Sequence, residues 1–191
     1  MPELIDFYFD FSSPYSYLLS EKIDALAARF GRTVRWRPIL LGAIFKAAGS
    51  APLTLQYSPK AAYSILDFDR SARFMGLPYR HPDVFPIASQ YAARACYWLE
   101  EHQPTAARPF AQAVFRALFV DNTDISPLDT VLEIATRQML LARRFRTAEG
   151  NFLDLFVQVS NDGFHGRDIG LKVSRARVEL RFDGGHQKPP V

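Results

Sequence analysis

The residues near the start of the chain whose types and spacing could do chemistry are two serines and a proline, Ser12-Ser13-Pro14. A serine hydroxyl just before a helix can cap free backbone N–H groups, and a proline suits the first turn because its missing N–H is not needed there. The same position favours negative charge, since the unpaired N–H groups and the positive end of the helix dipole attract it. Spacing alone leaves two interpretations open, ordinary helix capping and hydrogen bonding to a bound anion.

The elements that must position these serines are a strand before them and a helix after them. Residues 5–11 are rich in aromatics and typical of a buried strand. The apolar spacing that follows predicts a helix ending near Gly31. Residues 33–39 predict a second strand, which we expect to lie parallel to the first because a helix of about 15 residues separates the two. The sequence therefore predicts a β–α–β start.

The middle of the chain is predicted to be helical. Residues 40–46 begin a helix that stops in the loop at 48–52, and residues 60–99 are amphipathic, with breaks at 76–78 and in the proline-rich segment 81–87. Residues 124–127 look like a cap and first-turn proline for a helix over 128–141. The apolar residues that mark the helix faces are Tyr63, Leu66, Phe68, Phe74, Tyr91, Ala95, Trp98, Leu99, Phe110, Val114, Leu118 and Phe119.

Three segments of the chain resemble one known family. The run FDFSSPYSYL closely resembles the opening of the 2-hydroxychromene-2-carboxylate isomerases and the related kappa-class glutathione transferases, both of the DsbA-like branch of the thioredoxin fold. RPILLGAIFKAAG and HPDVFPIAS extend the resemblance, which covers about residues 4–135. The implied fold class is α/β, thioredoxin-like (DsbA-like), in a single domain 1–191 with a helical insertion at about 42–135. The segment at about 137–191 diverges, which predicts an atypical or incomplete C-terminal part.

The resemblance also implies a set of site residues. It places the catalytic serine at Ser13, as a hydrogen-bond donor to the thiolate of glutathione and not as a nucleophile. A serine hydrolase would need a histidine base, and the four histidines show no pattern that assigns one. The implied cofactor-binding residues are Ser13, Pro14, Ser50 and Lys60, and the implied substrate pocket contains Phe11, Tyr15, Phe85 and Pro86. A solvated role for Lys60 and a core role for Phe85 are the alternatives that the residues themselves leave open.

The implied function is that of a glutathione-dependent isomerase of the 2-hydroxychromene-2-carboxylate type in aromatic-compound catabolism. The thiolate would add to the unsaturated ring, the ring would open, a bond would rotate, and elimination would return the cofactor. The alternatives are a kappa-like glutathione transferase or peroxidase, and a non-catalytic member whose divergent C-terminal segment has disrupted half of the glutathione site. The implied partners are glutathione and a small aromatic substrate, with a homodimer as a further expectation.

The last third of the chain departs from the family pattern. No proline lies between Pro127 and Pro189, so the family's cis-proline turn is expected to be absent there. Residues 152–159 could form a strand, and residues 164–168 resemble the family's hairpin, with His165 where tryptophan is usual. We interpret this segment as rearranged or frame-shifted, a hypothesis that genomic resequencing would test.

Composition excludes several classes of protein. With 191 residues, 48% hydrophobic, the chain can bury a core and is not a disordered protein. The single cysteine, Cys96, excludes an internal disulfide and a CxxC redox pair, and fits a reducing cytoplasm. Neither a signal peptide nor a membrane span is expected from the sequence. Residues 137–191 hold ten Lys/Arg against six Asp/Glu, but the basic residues are scattered, so neither nucleic-acid binding nor a metal site is predicted.

Overall fold

Two parallel strands carry the turn that contains the serines. In the computed structural model, which describes residues 3–52 and 59–143, β1 covers Leu4–Phe9 and β2 covers Thr33–Pro38. Leu4 lies opposite Thr33 and Phe9 opposite Pro38. Alternate side chains point to opposite faces of a strand, and here Phe7 and Phe9 are buried. Both predicted strands and their parallel pairing are confirmed.

The helix predicted between the strands is in fact two helices. Helix α1 covers Pro14–Ser20 and helix α2 covers Ile23–Arg29, so the prediction of one helix to Gly31 is wrong. The Ser20 hydroxyl donates to the Tyr17 carbonyl oxygen at 2.6 Å, a local bond that competes with continued helix. Lys22 then leaves helical geometry, with φ −125° and ψ −28°.

The predicted helical middle of the chain is confirmed among the described residues. Helix α3 covers Leu41–Ala47, α4 covers Pro59–Met75, α5 covers Gln90–His102, α6 covers Pro104–Phe119 and α7 covers Leu128–Arg143. The breaks fall where the glycine and prolines were expected, and Gly76 adopts the left-handed φ of 66° that ends α4.

Helix α6 lies at the centre of the described core. Its predicted apolar residues, Phe110, Val114, Leu118 and Phe119, are buried together with Phe115. The ring centroid of Phe115 lies 5.6 Å from that of Phe9 and 5.0 Å from that of Phe11. The aromatic end of β1 therefore packs on α6, which fixes the position of the serine turn that follows it.

Helix α4 buries a different face from the one expected. Of its predicted apolar residues only Phe68 is buried, whereas Tyr63, Leu66 and Phe74 are exposed. The buried residues are Ala61, Ser64, Phe68 and Ala72, which follow the i, i+3, i+7, i+11 spacing of one helix face. The inward face therefore carries two alanines and a serine beside Phe68, and the larger apolar residues lie on the exposed side.

Some predictions concern residues that the structure does not describe. The possible strand at 152–159, the hairpin-like segment at 164–168 and the absent cis-proline turn all lie outside the described residues. Within residues 3–52 and 59–143, no helix is long and apolar enough to cross a bilayer. The same part of the chain contains no cluster of three or more side chains that could hold a metal ion.

Candidate functional site

Ser13 is the residue that caps helix α1. Its backbone is extended, with φ −101° and ψ 116°, and its Oγ accepts a hydrogen bond from the Ser16 N–H at 3.3 Å. Pro14 follows at the first helical position, as expected. Because a serine hydroxyl can donate as well as accept, Oγ can cap the helix and still donate its hydrogen to a ligand. The side chain is partly buried, so the two interpretations of the sequence, capping and anion binding, are compatible.

Asp10 is the buried acidic residue at the end of β1, with a relative exposure of 2%. Its Oδ1 accepts hydrogen bonds from the Ser12 N–H at 2.8 Å and from the Ser12 hydroxyl at 3.0 Å. Its backbone carbonyl accepts from the Ser13 N–H at 2.9 Å. An aspartate that binds the backbone two residues ahead forms an Asx turn, which fixes the direction of the chain. Asp10 thereby sets the turn that delivers Ser13.

The same carboxylate reaches two more distant segments. Its Oδ2 accepts from the Leu41 N–H at 2.6 Å, at the start of α3, where Leu40 offers no side-chain cap. Its Oδ1 also accepts from the Ser89 hydroxyl at 2.7 Å. Ser89 directly precedes α5 but makes no capping hydrogen bond with its side chain, which instead serves Asp10.

A continuous row of aromatic rings extends from Tyr15. The Tyr15 ring meets Phe68 edge-on with centroids 4.9 Å apart, Phe68 stacks on His81 at 6.3 Å, and His81 meets Phe85 edge-on at 5.0 Å. Phe85 precedes Pro86 across a cis peptide bond. These contacts connect Tyr15 to Phe85, two residues that the resemblance assigns to one pocket.

Partial desolvation shifts the pKa values of three titratable groups in or beside this aromatic row, although Tyr15 itself is 51% exposed. Desolvation, followed by a 2.8 Å hydrogen bond to Asp67 Oδ2, raises the pKa of Tyr15 to about 12. Desolvation lowers the pKa of His81, whose Nδ1 lies 3.0 Å from the Tyr79 hydroxyl. Burial also raises the pKa of Tyr79. Both tyrosines and the histidine are uncharged at neutral pH, and the row is suited to packing against an aromatic ligand.

The other candidate residues differ in accessibility. Ser50 lies just beyond α3 and Lys60 lies in the first turn of α4, and both are exposed. Among residues 3–52 and 59–143, no hydrogen bond or ion pair joins either of them to Ser13. Phe11 is fully buried between the rings of Phe9 and Phe115. Its expected role in a substrate pocket therefore differs from its position in the core, where packing of the strand end against α6 places it.

Cys96 cannot serve as a reactive thiol in the folded chain. It lies on α5 with 3% relative exposure, and burial raises the pKa of its thiol far above neutrality. A buried neutral thiol is a poor nucleophile. Cys96 is therefore inert in the folded chain, and any thiolate that acts at Ser13 must come from a ligand.

Sequence reasoning missed several residues that the structure brings to this region. Asp10, Ser89, Phe68, His81 and Asp67 received no role in the site from the sequence. A serine directly before a helix normally indicates a cap, so the sequence offered no signal that Ser89 would bind a carboxylate 79 residues away. His81 and Phe85 share the segment HPDVFP, and this spacing is the one signal that could have linked them.

The relatives found among curated proteins are of two kinds, 2-hydroxychromene-2-carboxylate isomerases and a kappa-class glutathione transferase. The chain is 33% identical over 120 residues to a 2-hydroxychromene-2-carboxylate isomerase of Sphingobium xenophagum, covering 62% of this chain and 60% of that protein. It is 33% identical over 110 residues to glutathione S-transferase kappa 1 of Caenorhabditis elegans, covering 56% and 44%. A 2-hydroxychromene-2-carboxylate isomerase of Pseudomonas putida is 37% identical over 84 residues, covering 44% and 39%. The chain thus spans between 39% and 60% of the length of these three relatives.

Comparison with solved structures supports the fold. A structure of 2-hydroxychromene-2-carboxylate isomerase matches with a TM-score of 0.55 and 21% identity, covering 94% of this chain and 100% of that one. A probable DsbA oxidoreductase from Streptomyces coelicolor matches with a TM-score of 0.60 and 14% identity, covering 93% and 76%. At these identities the likeness establishes the fold alone, which is the predicted α/β, thioredoxin-like one.

The family model of the DSBA-like thioredoxin domain matches residues 4–148. This range contains both strands, the serine turn, the buried Asp10 and all the described helices. It extends the resemblance read from the sequence, which reached about residue 135. The chain therefore belongs to the DSBA-like thioredoxin domain family.

Proposed function

We propose that this chain is a glutathione-dependent isomerase that acts on a 2-hydroxychromene-2-carboxylate or a closely similar aromatic substrate. The observation that carries the proposal is the position of Ser13, whose hydroxyl caps α1 and keeps a hydrogen to donate. Thiol–disulfide oxidoreductases of this fold carry a nucleophilic cysteine at the corresponding helix start. A serine cannot do that redox chemistry, but it can hydrogen-bond the thiolate of a bound cofactor.

Ser13 acts on the acidity of the glutathione thiol. A hydrogen bond to the charged form lowers a thiol pKa, and free backbone N–H groups at a helix start act in the same direction. A larger thiolate fraction near neutral pH then makes the sulfur a better nucleophile. Cys96 is buried, so glutathione is the source of the sulfur.

When bound, glutathione would supply a thiolate that adds to the unsaturated ring and leaves again, so that rotation about a temporarily single bond would replace rotation about a double bond. The part of this chain is to hold that sulfur beside the Ser13 hydroxyl, which would donate a hydrogen bond to it.

The aromatic row supplies the surface for the substrate. Tyr15, Phe85 and Pro86 line the pocket, and the rings of Phe68 and His81 join Tyr15 to Phe85. Pro14, Ser50 and Lys60 bind the glutathione backbone, and the ammonium group of Lys60, an exposed residue, attracts a glutathione carboxylate. A fused aromatic acid fits a row of uncharged rings because stacking and apolar burial do not require a charged partner.

A kappa-like glutathione transferase or peroxidase is the second candidate, favoured by the 33% identity to glutathione S-transferase kappa 1. It would share Ser13 and glutathione but pass the sulfur, or its electrons, to a second substrate. A cytoplasmic location and a homodimer accompany both candidates as proposals. Glutathione is abundant in the cytoplasm, and the single buried cysteine fits a reducing compartment.

Binding to immobilised glutathione and spectroscopic turnover of 2-hydroxychromene-2-carboxylate test the proposal together. The wild-type chain should be retained and should isomerise the substrate only when glutathione is added. Ser13→Ala should lower kcat/KM by about 100-fold, because it removes a donor to the developing or resting thiolate. Ser16→Ala is the matched control, since it removes a hydroxyl from the same helix while its backbone N–H remains.

Each outcome separates the candidates. Retention with conjugation of an electrophile but no isomerisation would favour the transferase. Failure of the wild-type chain to bind glutathione would identify a non-catalytic member. Full activity in Ser13→Ala would remove the role assigned to the serine.

A further inference from the structure

We propose that Asp10 is a positioning residue that holds Ser13 in place for the glutathione thiolate, and that Ser89 fixes the Asp10 carboxylate in turn. This inference rests on the proposed function and deepens it, because it assigns a role to two residues that do not touch the cofactor themselves. Its basis is one buried side chain on which three separate segments of the chain converge.

The first segment is the serine turn itself. The Asp10 carboxylate accepts hydrogen bonds from the Ser12 backbone N–H at 2.8 Å and from the Ser12 hydroxyl at 3.0 Å. The Asp10 backbone carbonyl accepts a third from the Ser13 N–H at 2.9 Å. The two residues before α1 are therefore held from both the side chain and the main chain of Asp10. The Ser13 backbone cannot change its direction without breaking at least one of these bonds.

The other two segments carry the remaining parts of the proposed site. The Leu41 N–H, bound to Oδ2 at 2.6 Å, begins the helix that leads to Ser50. The Ser89 hydroxyl, bound to Oδ1 at 2.7 Å, follows Pro86 by three residues. The carboxylate thus sets the serine turn, the start of α3 and the end of the Phe85–Pro86 segment relative to one another.

A carboxylate is the group that this environment requires. It accepts about four hydrogen bonds and donates none, and Asp10 receives four through its side chain. An asparagine has nearly the same shape, but its amide NH₂ would face one of these donors. Asp10→Asn therefore keeps the volume and disrupts the arrangement, at a site with only 2% exposure.

Four variants test the inference with glutathione as the probe: Asp10→Asn, Ser89→Ala, Ser89→Thr and Asp6→Asn. The quantities measured are the pKa of the bound glutathione thiol, from the ultraviolet absorbance of its thiolate against pH, and kcat and KM for isomerisation. Asp6→Asn is the matched control, because it makes the same change within β1, the strand that Asp10 follows, at an exposed ion pair with Arg35.

Asp10→Asn should raise the pKa of the bound thiol by about one unit, since the hydroxyl that stabilises the thiolate is displaced. It should also lower kcat by about tenfold or more, with a smaller change in KM, because small misplacements of reacting groups are costly. Ser89→Ala should also raise the pKa of the bound thiol and lower kcat, each by a smaller amount than Asp10→Asn. Ser89→Thr, which keeps the hydroxyl, should restore them, and Asp6→Asn should match the wild-type chain.

Circular dichroism identifies the variants that fold, and the Ser89 pair decides the result if Asp10→Asn does not fold. Folded variants that lose thermal stability but keep the wild-type thiol pKa and kcat would overturn the inference, because Asp10 would then be purely structural. If the wild-type chain lowers the thiol pKa and the variants do so equally, the inference alone fails. If the wild-type chain does not lower it at all, the proposed function fails and the inference fails with it.

Discussion

At the scale of single residues, His81 shows how the aromatic row controls charge. The imidazole lies between the rings of Phe68 and Phe85, and its Nδ1 shares a hydrogen bond with the Tyr79 hydroxyl. Burial lowers its pKa from the ordinary value of 6.5, because a charged ring loses its hydration there. The fold therefore favours the neutral imidazole, and stability must depend on pH.

The sign of that dependence follows from proton binding. Around pH 6.5 the unfolded chain binds a proton at this histidine more readily than the folded chain does, so stability falls as pH decreases through this range. The stability that the folded chain has with a neutral His81 is fully present above pH 6.5. It is lost as the pH falls toward the lower pKa of His81 in the folded chain. We expect the free energy of unfolding of His81→Asn, measured with urea, to fall less than that of the wild-type chain between pH 8 and pH 5 (both values approximate). Parallel curves would contradict the assignment.

At the scale of elements, the packing of β1 on α6 determines where the serine turn lies. Phe115 of α6 is fully buried, and its ring lies within 6.5 Å of those of Phe9, Phe11, Tyr17 and Phe119. Three of these four rings belong to the strand end, the turn and α1. Helix α6 therefore packs against the strand end, the turn and the helix that together hold Ser13.

Phe115→Ala should lower the free energy of unfolding by about 3–5 kcal/mol, because it removes buried apolar contacts and leaves a cavity. Phe74→Ala is the matched control, since Phe74 is also an aromatic residue in a helix but is 91% exposed. It should change stability by less than about 0.5 kcal/mol. Urea denaturation measures both, and a similar loss in the two variants would show that α6 does not carry the core.

At the scale of the whole molecule, polar contacts tie the described helices to the sheet and to each other. The Tyr97 hydroxyl donates to the Pro38 carbonyl at 2.8 Å, and Arg108 donates to the Val34 carbonyl at 2.9 Å, which joins α5 and α6 to β2. The buried Tyr17 hydroxyl donates to the Pro78 carbonyl at 2.6 Å, beyond the end of α4. A ligand that binds this assembly should therefore stabilise it cooperatively.

If the proposed glutathione site exists, glutathione at about 100 times its dissociation constant should raise the free energy of unfolding by about 2.7 kcal/mol, because a ligand that binds only the folded chain stabilises it by mass action. A glutathione analogue with a methyl group in place of the thiol should stabilise the wild-type chain less. In Ser13→Ala the two ligands should become nearly equal, since the hydroxyl that distinguishes them is gone. Thermal or urea unfolding with each ligand measures this, and an equal effect of both ligands on the wild-type chain would contradict a contact between Ser13 and sulfur.

Local signals predicted most of the elements that the structure describes. Pro127 before α7, Pro14 at the start of α1 and Gly76 at the end of α4 act on their own backbone, so their effect is visible in the sequence. The break between α1 and α2, where Lys22 leaves helical geometry, was missed because no glycine or proline marks it in the sequence. The buried face of α4 was missed because three of its four residues, Ala61, Ser64 and Ala72, are small and do not stand out as an apolar stripe.

The candidate site divides in the same way. The sequence by itself determined that a serine caps a helix directly after a buried aromatic strand, since strand, turn and cap are contiguous and their physics is local. Only the tertiary structure decided that Asp10 would meet Leu41 and Ser89, that Phe11 would enter the core, and that Tyr15 would reach Phe85 through two other rings. Such contacts join residues tens of positions apart, and which of them form depends on how the helices pack on β1, a choice that no short stretch of sequence contains.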